Sequence, residues 1–438
     1  MTDTIYAIAT GSLPSAIAIV RISGGSVATI ISQMISGEIE PRQFLLKSIK
    51  HPLNGEILDR GIMGWFPGPH SYTGEDYLEF QIHGGPAVVR AIIRALDQIP
   101  SVRMAEPGEF SLRAFLNGKM DLSSLEGLSD LIAAQTEEQR KQALSLAGGY
   151  LAQHIDIWRK SLIEALSYLE ADLDFSDERD VENSEKTETY GIIQRLKEDF
   201  KHALKESYRG EIIRNGVSIA LIGAPNVGKS TLLNRLAQRD VAIVTDLPGT
   251  TRDTIEISLD INGYKVILID TAGLRETSDQ IEIEGIKRTK NLLNQIHIVL
   301  ELSDQSQFGL VNIDQSIEYI RVLTKADLTP PATSNHDIAL SAQSGEGIED
   351  LLKLLSSKIQ FLADNREPAL ITRERHRSLI EESLACVNNA LNMLETSVSL
   401  ELVAEELRLA ANSLSRIIGK IDVEDVLGEI FSRFCIGK

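Results

Sequence analysis

Up to about residue 118 the chain runs through short apolar alternations, such as Ala16-Ile17-Ala18-Ile19-Val20-Arg21-Ile22, broken by glycine-rich turns. One helix-spaced segment stands among them, at 86–99. A period of two is what a strand with one buried face needs, so this stretch reads as an α/β domain. From Asp121 the period lengthens. Leu122, Leu125, Leu128 and Leu131, then Leu144, Leu151 and Ile155, recur at helical spacing to about residue 210, and glycine becomes sparse. An acidic stretch at 172–182 interrupts the pattern and reads as a solvated loop between helices.

From 217 to about 362 short apolar runs alternate with helical segments, the pattern of a largely parallel sheet with covering helices. The candidate strands are 217–222, 266–269, 296–300, 319–323 and 337–340. Ile255, Ile257, Leu259 and Ile261 alternate strictly and meet the strand at 266 across Asn262-Gly263, a hairpin signal that adds one antiparallel strand. Helical spacing then returns through Ile380, Leu384, Ala385, Leu391, Leu394, Leu402, Leu407, Leu409 and Leu414. A lone helical tail would leave its apolar stripe uncovered, so the simplest architecture is a helical domain interrupted by an inserted α/β domain. The expected boundaries are an N-terminal α/β domain at 1–118, a first helical part at 119–212, the insert at 213–362 and a second helical part at 363–438.

Composition narrows the class. At 438 residues the chain is long enough for several cores, and it carries a formal net charge of −19. That charge argues against broad electrostatic attraction to nucleic acid, so a nucleic-acid substrate would need a local basic patch or a partner. No apolar run approaches the about 20 residues of a membrane span, and no leader pattern opens the chain. Cytoplasmic residence without membrane contact is therefore expected. The two cysteines, Cys386 and Cys435, make neither a disulfide framework nor a zinc-ligand spacing. Cys435 stands four residues from the end as in a lipidation signal, but Gly437 and Lys438 are poor residues at the following positions.

The chemistry concentrates in the insert. Gly223-Ala224-Pro225-Asn226-Val227-Gly228-Lys229-Ser230 follows a candidate strand and opens a helical run that continues with Thr231, the setting a phosphate-binding loop needs. Glycines let backbone N–H groups surround phosphates, the helix N-terminus adds positive charge, Lys229 supplies a cation and Ser230 a magnesium ligand. Three further segments end candidate strands in the right order. Asp270-Thr271-Ala272-Gly273 puts a carboxylate near the magnesium shell and a glycine N–H near the terminal phosphate. Thr324-Lys325-Ala326-Asp327 places Asp327 to accept two hydrogen bonds from guanine N1–H and its exocyclic amine, which adenine cannot offer together. Ser341-Ala342 suits the loop whose backbone meets the guanine carbonyl. Most such base-recognition motifs begin with Asn; Thr324 keeps a hydroxyl and loses the amide, which lowers the expected nucleotide affinity while leaving guanine selection to Asp327.

Between the first two motifs lies a switch-like loop, Thr245-Asp246-Leu247-Pro248-Gly249-Thr250-Thr251-Arg252-Asp253, in which Thr251 or Thr250 is the candidate second magnesium ligand. Small Ras-like enzymes place a water-orienting Gln directly after Asp-x-x-Gly. Here that position is Leu274, which cannot hold a water. Another group must orient the nucleophile and another charge must replace an arginine finger. Arg252, Arg275, Glu276, Asp279, Glu282 and Glu284 are the nearby candidates.

Together these motifs resemble the TrmE-Era class of GTPases. The remainder narrows the resemblance to the MnmE (TrmE) family of tRNA-modification GTPases: Phe66-Pro67-Gly68-Pro69, Thr73-Gly74-Glu75-Asp76, His83-Gly84-Gly85-Pro86, Glu106-Pro107-Gly108-Glu109-Phe110 and the terminal Cys435-Ile436-Gly437-Lys438 all resemble its motifs, over essentially the whole chain. The resemblance implies a Ras-like P-loop GTPase domain inserted in a helical domain, preceded by a folate-binding-like α/β domain. It implies a homodimer whose N-terminal domains bind a formyl-tetrahydrofolate one-carbon donor, and a flavin-carrying partner, MnmG (GidA), with which the family modifies carbon five of the tRNA wobble uridine. By motif match Arg21, Glu79, Lys119 and Lys438 are the folate candidates, and Cys435 is a candidate near the one-carbon chemistry or a buried small residue. It further implies potassium-activated hydrolysis with Asn226, Thr245, Leu247 and Thr250 as ligands, and raises Glu282 to the leading water-positioning residue. A GTP-regulated scaffold or ribosome-assembly switch without folate chemistry is the competing expectation.

Overall fold

The structure is a computed structural model that describes residues 3–174, 184–239, 241–243, 256–270, 296–305, 308–309, 317–328, 335–363, 368–396 and 399–421. Two compact units divide the chain, Met1–Ser129 with Ala152–Arg159 and Ala411–Lys438, and Asp130–Leu151 with Lys160–Ala410.

The first unit is built on a six-stranded sheet in the order β3-β4-β5-β2-β1-β6. Its strands are β1 Thr4–Ile8, β2 Ser15–Ser23, β3 Phe44–Lys50, β4 Ile57–Phe66, β5 Tyr77–Gly84 and β6 Val102–Met104, antiparallel except where β6 lies parallel to β1. Alternation along β2 sends Ala18, Val20 and Ile22 into a core with Leu78, Phe80 and Ile82 of β5, while Arg21 takes the opposite face. Three helices join the sheet: α1 Val27–Met34, α2 Pro86–Leu96 and α3 Glu109–Leu116. Only α2 is announced by spacing, with Pro86 in its first turn, where its missing N–H costs nothing. Two turns of α1 are too short for a period to show. In α3 charged residues share the inward positions with Phe110 and Ala114: Arg113 is fully buried, with ion pairs of 3.0 Å each to Asp3, Glu75 and Glu109. Removing one partner of such a buried pair costs about 3–5 kcal/mol, so this network ties α3 to the strands and the Thr73-Gly74-Glu75 loop.

The second unit holds a six-stranded sheet in the order β12-β11-β10-β7-β9-β8. The strands are β7 Val217–Gly223, β8 Glu256–Ile261, β9 Tyr264–Asp270, β10 Ile298–Ser303, β11 Glu318–Leu323 and β12 Ile338–Ala339. All pairs are parallel except β8 with β9, which turn through Asn262 at φ 56° and Gly263 at φ 86°, the left-handed pair a tight hairpin requires. Leu221, Val266, Leu300 and Val322 pack from the sheet against Leu232 and Leu236 of α8 Lys229–Ala237 and Leu351, Leu355 and Ile359 of α9 Ile348–Ala363.

The helical segments are α4 Leu122–Ala133, α5 Glu137–Ala147, α6 Tyr150–Asp174, α7 Ser184–Asn215, α10 Glu374–Glu395 and α11 Leu400–Ile417. Chain before and after the insert comes together: Tyr190 of α7 donates to Glu395 at 2.9 Å, and Arg377 of α10 pairs with Glu211 at 3.2 Å. Leu144 is half exposed, so on α5 the buried stripe is Ala143 and Leu146 instead. The acidic stretch begins inside α6, at 172–174, and its next residues lie outside those described. No helix among the described residues is long and apolar enough to cross a membrane.

Candidate nucleotide-binding site

The carboxyl ends of β7, β9, β11 and β12 form one edge of the second sheet, and the candidate nucleotide residues sit there, as ligand sites do in open α/β sheets. Gly223 closes β7 against β10: a Cβ there would lie 2.4 Å from the Leu302 carbonyl oxygen. Asn226 at φ 62° and Gly228 at φ 103° then bend the loop through the left-handed region, the kind of turn that lines a concavity with backbone N–H groups. Val227 is buried and anchors the loop, whereas Asn226, Ser230 and Thr231 are exposed.

Lys229 is almost fully buried, and its Nζ donates to the carbonyl oxygens of Gly223 at 2.8 Å and Ala224 at 3.0 Å. The ammonium is thus held across the mouth of its own loop. Parallel register pairs Leu221 with Asp270 and brings the end of β9 beside the loop. The Ser230 hydroxyl lies 3.4 Å from Asp270 Oδ2, and Asp270 is buried. A hydroxyl and a carboxylate oxygen this close form the hard-oxygen corner that magnesium takes together with phosphate and water.

At the end of β11, Thr324 is buried and its Oγ1 donates to the Val227 carbonyl at 2.7 Å. This hydroxyl ties the end of β11 to the β7–α8 loop. Lys325 adopts φ 54° and its Nζ pairs with Asp304 at 2.9 Å. Asp327 follows, exposed, on the turn that Ala326 closes by donating to the Leu340 carbonyl at 3.1 Å. Ser341 is buried after β12, with its N–H donating to the Glu346 carbonyl at 2.9 Å and its Oγ accepting from the Ser344 N–H at 3.1 Å; Ala342 is half-buried beside it. Asp304 was not among the residues expected from sequence, although an acid directly after the β10 run was the available signal.

Thr245, Asp246, Leu247, Pro248, Gly249, Thr250, Thr251, Arg252, Thr271, Ala272, Gly273, Leu274, Arg275, Glu276, Asp279, Glu282, Glu284, Cys435 and Lys438 lie outside the described residues.

In the first unit, β2 and β5 set Arg21 directly opposite Glu79, with Arg21 Nε 3.7 Å from Glu79 Oε2. Glu79 also accepts from Gln81 at 3.1 Å and from the Tyr77 hydroxyl at 3.4 Å. Tyr77 and Tyr72, which the sequence did not single out, lie close enough to feel the Arg21 charge; burial pushes both phenols above their ordinary range. Lys119 is exposed just after α3, and its side chain passes the Thr73-Gly74 loop, to which Asn117 donates at 2.7 Å.

Two family models match in order along the chain: "GTP-binding protein TrmE N-terminus" over residues 4–119 and "MnmE helical domain" over residues 122–435. The tRNA modification GTPase MnmE of Beijerinckia indica is 44% identical over 436 residues, covering 100% of this chain and 96% of its own length. That of Rhodopseudomonas palustris is 45% identical over 441 residues, covering 100% and 99%. The G domain of the T. maritima FeoB iron transporter is 27% identical over 34% of this chain and 99% of its own, with a TM-score of 0.24. Matched from end to end at this identity, and carrying both family models in sequence, the chain belongs to the MnmE family of tRNA-modification GTPases.

Proposed function

We propose that this chain hydrolyses GTP at the β7–α8 loop and, as a homodimer working with the flavoprotein MnmG (GidA), couples hydrolysis to modification of carbon five of the tRNA wobble uridine in the cytoplasm. The observation that carries the reading is the convergence of Lys229, Ser230, Asp270 and Thr324 on one sheet edge. In this reading Lys229 exchanges its two carbonyl partners for β- and γ-phosphate oxygens, and loop N–H groups bind the rest of the phosphate chain. Ser230 and Thr251 would hold magnesium, with Asp270 at its shell; bound there, the ion supplies neutralisation of the charge that builds on the phosphates. Asp327 selects guanine, helped by Thr324, Lys325, Ser341 and Ala342. Glu282 orients the attacking water, whose oxygen bonds to the γ-phosphorus as the bond to the β–γ bridging oxygen breaks. The segments 245–251 and 271–273 complete the nucleotide contacts.

Leu274 leaves the water and the missing positive charge to other groups. Asn226, Thr245, Leu247 and Thr250 would hold potassium, a cation suited to neutral oxygen donors, as two nucleotide domains meet. Hydrolysis is expected to run at least about tenfold faster in potassium than in sodium, in line with one added charge at a phosphoryl-transfer site. In Asn226→Ala that difference is expected to vanish; equal wild-type rates in both salts would overturn the cation reading.

Formyl-tetrahydrofolate as one-carbon donor suits the first unit, where Arg21 and Lys119 could meet its carboxylates and Glu79 its pterin N–H groups, with Lys438 and Cys435 contributed from the chain end. Mass spectrometry of tRNA from cells lacking this chain tests the whole reading. Loss of the carbon-five group at the wobble uridine is expected; unchanged wobble uridines would leave the chain a GTP-regulated scaffold.

A further inference from the structure

Apart from the candidate nucleotide site, the second unit holds a partly open pocket of about 260 Å³ whose polar wall is Asp130, Gln139, Gln142, Arg214, Asn215, Lys265 and Thr372. Ala133, Ala134, Ala143 and Leu146, from the end of α4 to α5, complete it. Some of these groups satisfy one another. Asp130 accepts from Arg214 Nε at 3.1 Å on both oxygens and from Arg373 at 2.8 Å, so its charge is already met by two guanidiniums. Gln139 donates to the Arg214 carbonyl at 2.8 Å, and Gln142 donates through Nε2 to the Gly210 carbonyl at 3.0 Å.

Two buried atoms remain unmet, and a half-buried cation stands beside them. Thr372 is 1% exposed and its hydroxyl has no hydrogen-bond partner among the described residues. Gln142 is 7% exposed and its Oε1 likewise accepts nothing. Lys265 is half-buried on β9 and lines the pocket; burial pushes its ammonium below the ordinary range. Orphaned polar atoms inside a protein cost about 1–3 kcal/mol each, so two beside one pocket that also presents a half-buried ammonium call for an occupant.

Their chemistry specifies it. A cation and a hydroxyl donor ask for an oxyanion, and a bare acceptor asks for a hydroxyl on that same anion. We propose that the cavity is a binding site for a small protonated oxyanion of the phosphate class, held by Lys265 and the Thr372 hydroxyl through its charged oxygens and by Gln142 Oε1 through its own O–H. Hydrogen phosphate meets all three demands. Sulfate, without a proton at neutral pH, leaves Gln142 unsatisfied or repelled. The volume leaves room for ordered water beside a single phosphate, at about 30 Å³ per molecule. The position gives the site a consequence: Lys265 lies on β9, which ends at Asp270, and Arg214 and Asn215 end α7 just before β7 and the phosphate loop. An occupant would brace both elements that lead to the nucleotide.

The test is calorimetric titration of inorganic phosphate and of sulfate into the full chain, with GDP and magnesium saturating the phosphate loop. Saturable phosphate binding is expected, at least about tenfold tighter than sulfate, and weakened at least about tenfold in Lys265→Met, the range a charge-assisted hydrogen bond supplies. Thr372→Val is the second variant: its hydroxyl has no partner to lose, so the fold is expected to melt no lower than wild type while phosphate binding weakens. Absence of saturable binding, equal phosphate and sulfate affinities, or unchanged phosphate affinity in Thr372→Val would each overturn the assignment.

Discussion

Lys229→Met is expected to lower kcat/KM for GTP hydrolysis about a thousandfold, or about 4 kcal/mol of transition-state stabilisation, measured as phosphate release at saturating magnesium. The reason is local. In the structure the Lys229 ammonium is held by the Gly223 and Ala224 carbonyls, buried at the mouth of the loop and already desolvated. Exchanging two neutral carbonyls for phosphate oxygens gains most when charge builds on the phosphates, so the loss falls on the chemical step as well as on binding. Methionine keeps the apolar stem in its slot, so the melting temperature should stay within a few degrees of wild type. Hydrolysis surviving within tenfold would mean that this loop is not the phosphate site.

Asp327→Asn is expected to weaken GTP binding by about 100-fold or more and to transfer preference to xanthosine triphosphate, measured by equilibrium titration of the two nucleotides. A carboxylate accepts from both N1–H and the exocyclic amine of guanine. An amide presents one donor, which conflicts with that amine and matches the carbonyl that xanthine carries instead. Asp327 is exposed, so the change should leave the fold intact. Unchanged nucleotide preference would remove Asp327 from base selection.

These two residues were legible from sequence because their motifs are local. Each is a short string set at the end of a strand by the same apolar run that forms the strand. The Asn262-Gly263 turn was legible for the same reason, since two left-handed residues between alternating runs have one low-energy outcome. The folate candidates were reached only by resemblance. Arg21 and Glu79 stand far apart in the chain, and only the β2–β5 register places them face to face.

The helices of the first unit mark the other boundary. α3 escaped because its buried positions mix Glu109, Ser111 and Arg113 with Phe110 and Ala114, and periodicity arguments look for an unbroken apolar stripe there. Arg113 is buried because Asp3 and Glu75 arrive from distant chain to neutralise it, and Glu109 because Arg103 and Arg113 neutralise it in turn. Leu144 shows the converse: it keeps helical spacing yet lies exposed, because neighbours outside α5 decide which part of a stripe is covered.

By itself, then, the sequence determined the strand and helix order around the insert and the placement of the Gly223–Ser230 loop and Asp327 after their strands, because backbone conformation and motif chemistry depend on adjacent residues. Only the tertiary structure decided that Thr324 would bond the Val227 carbonyl, turning a departure from the usual motif into the tie between two loops. It alone decided that Lys265, Gln142 and Thr372 would share one cavity. Contacts between distant residues depend on sheet register and helix packing, and no local string encodes either.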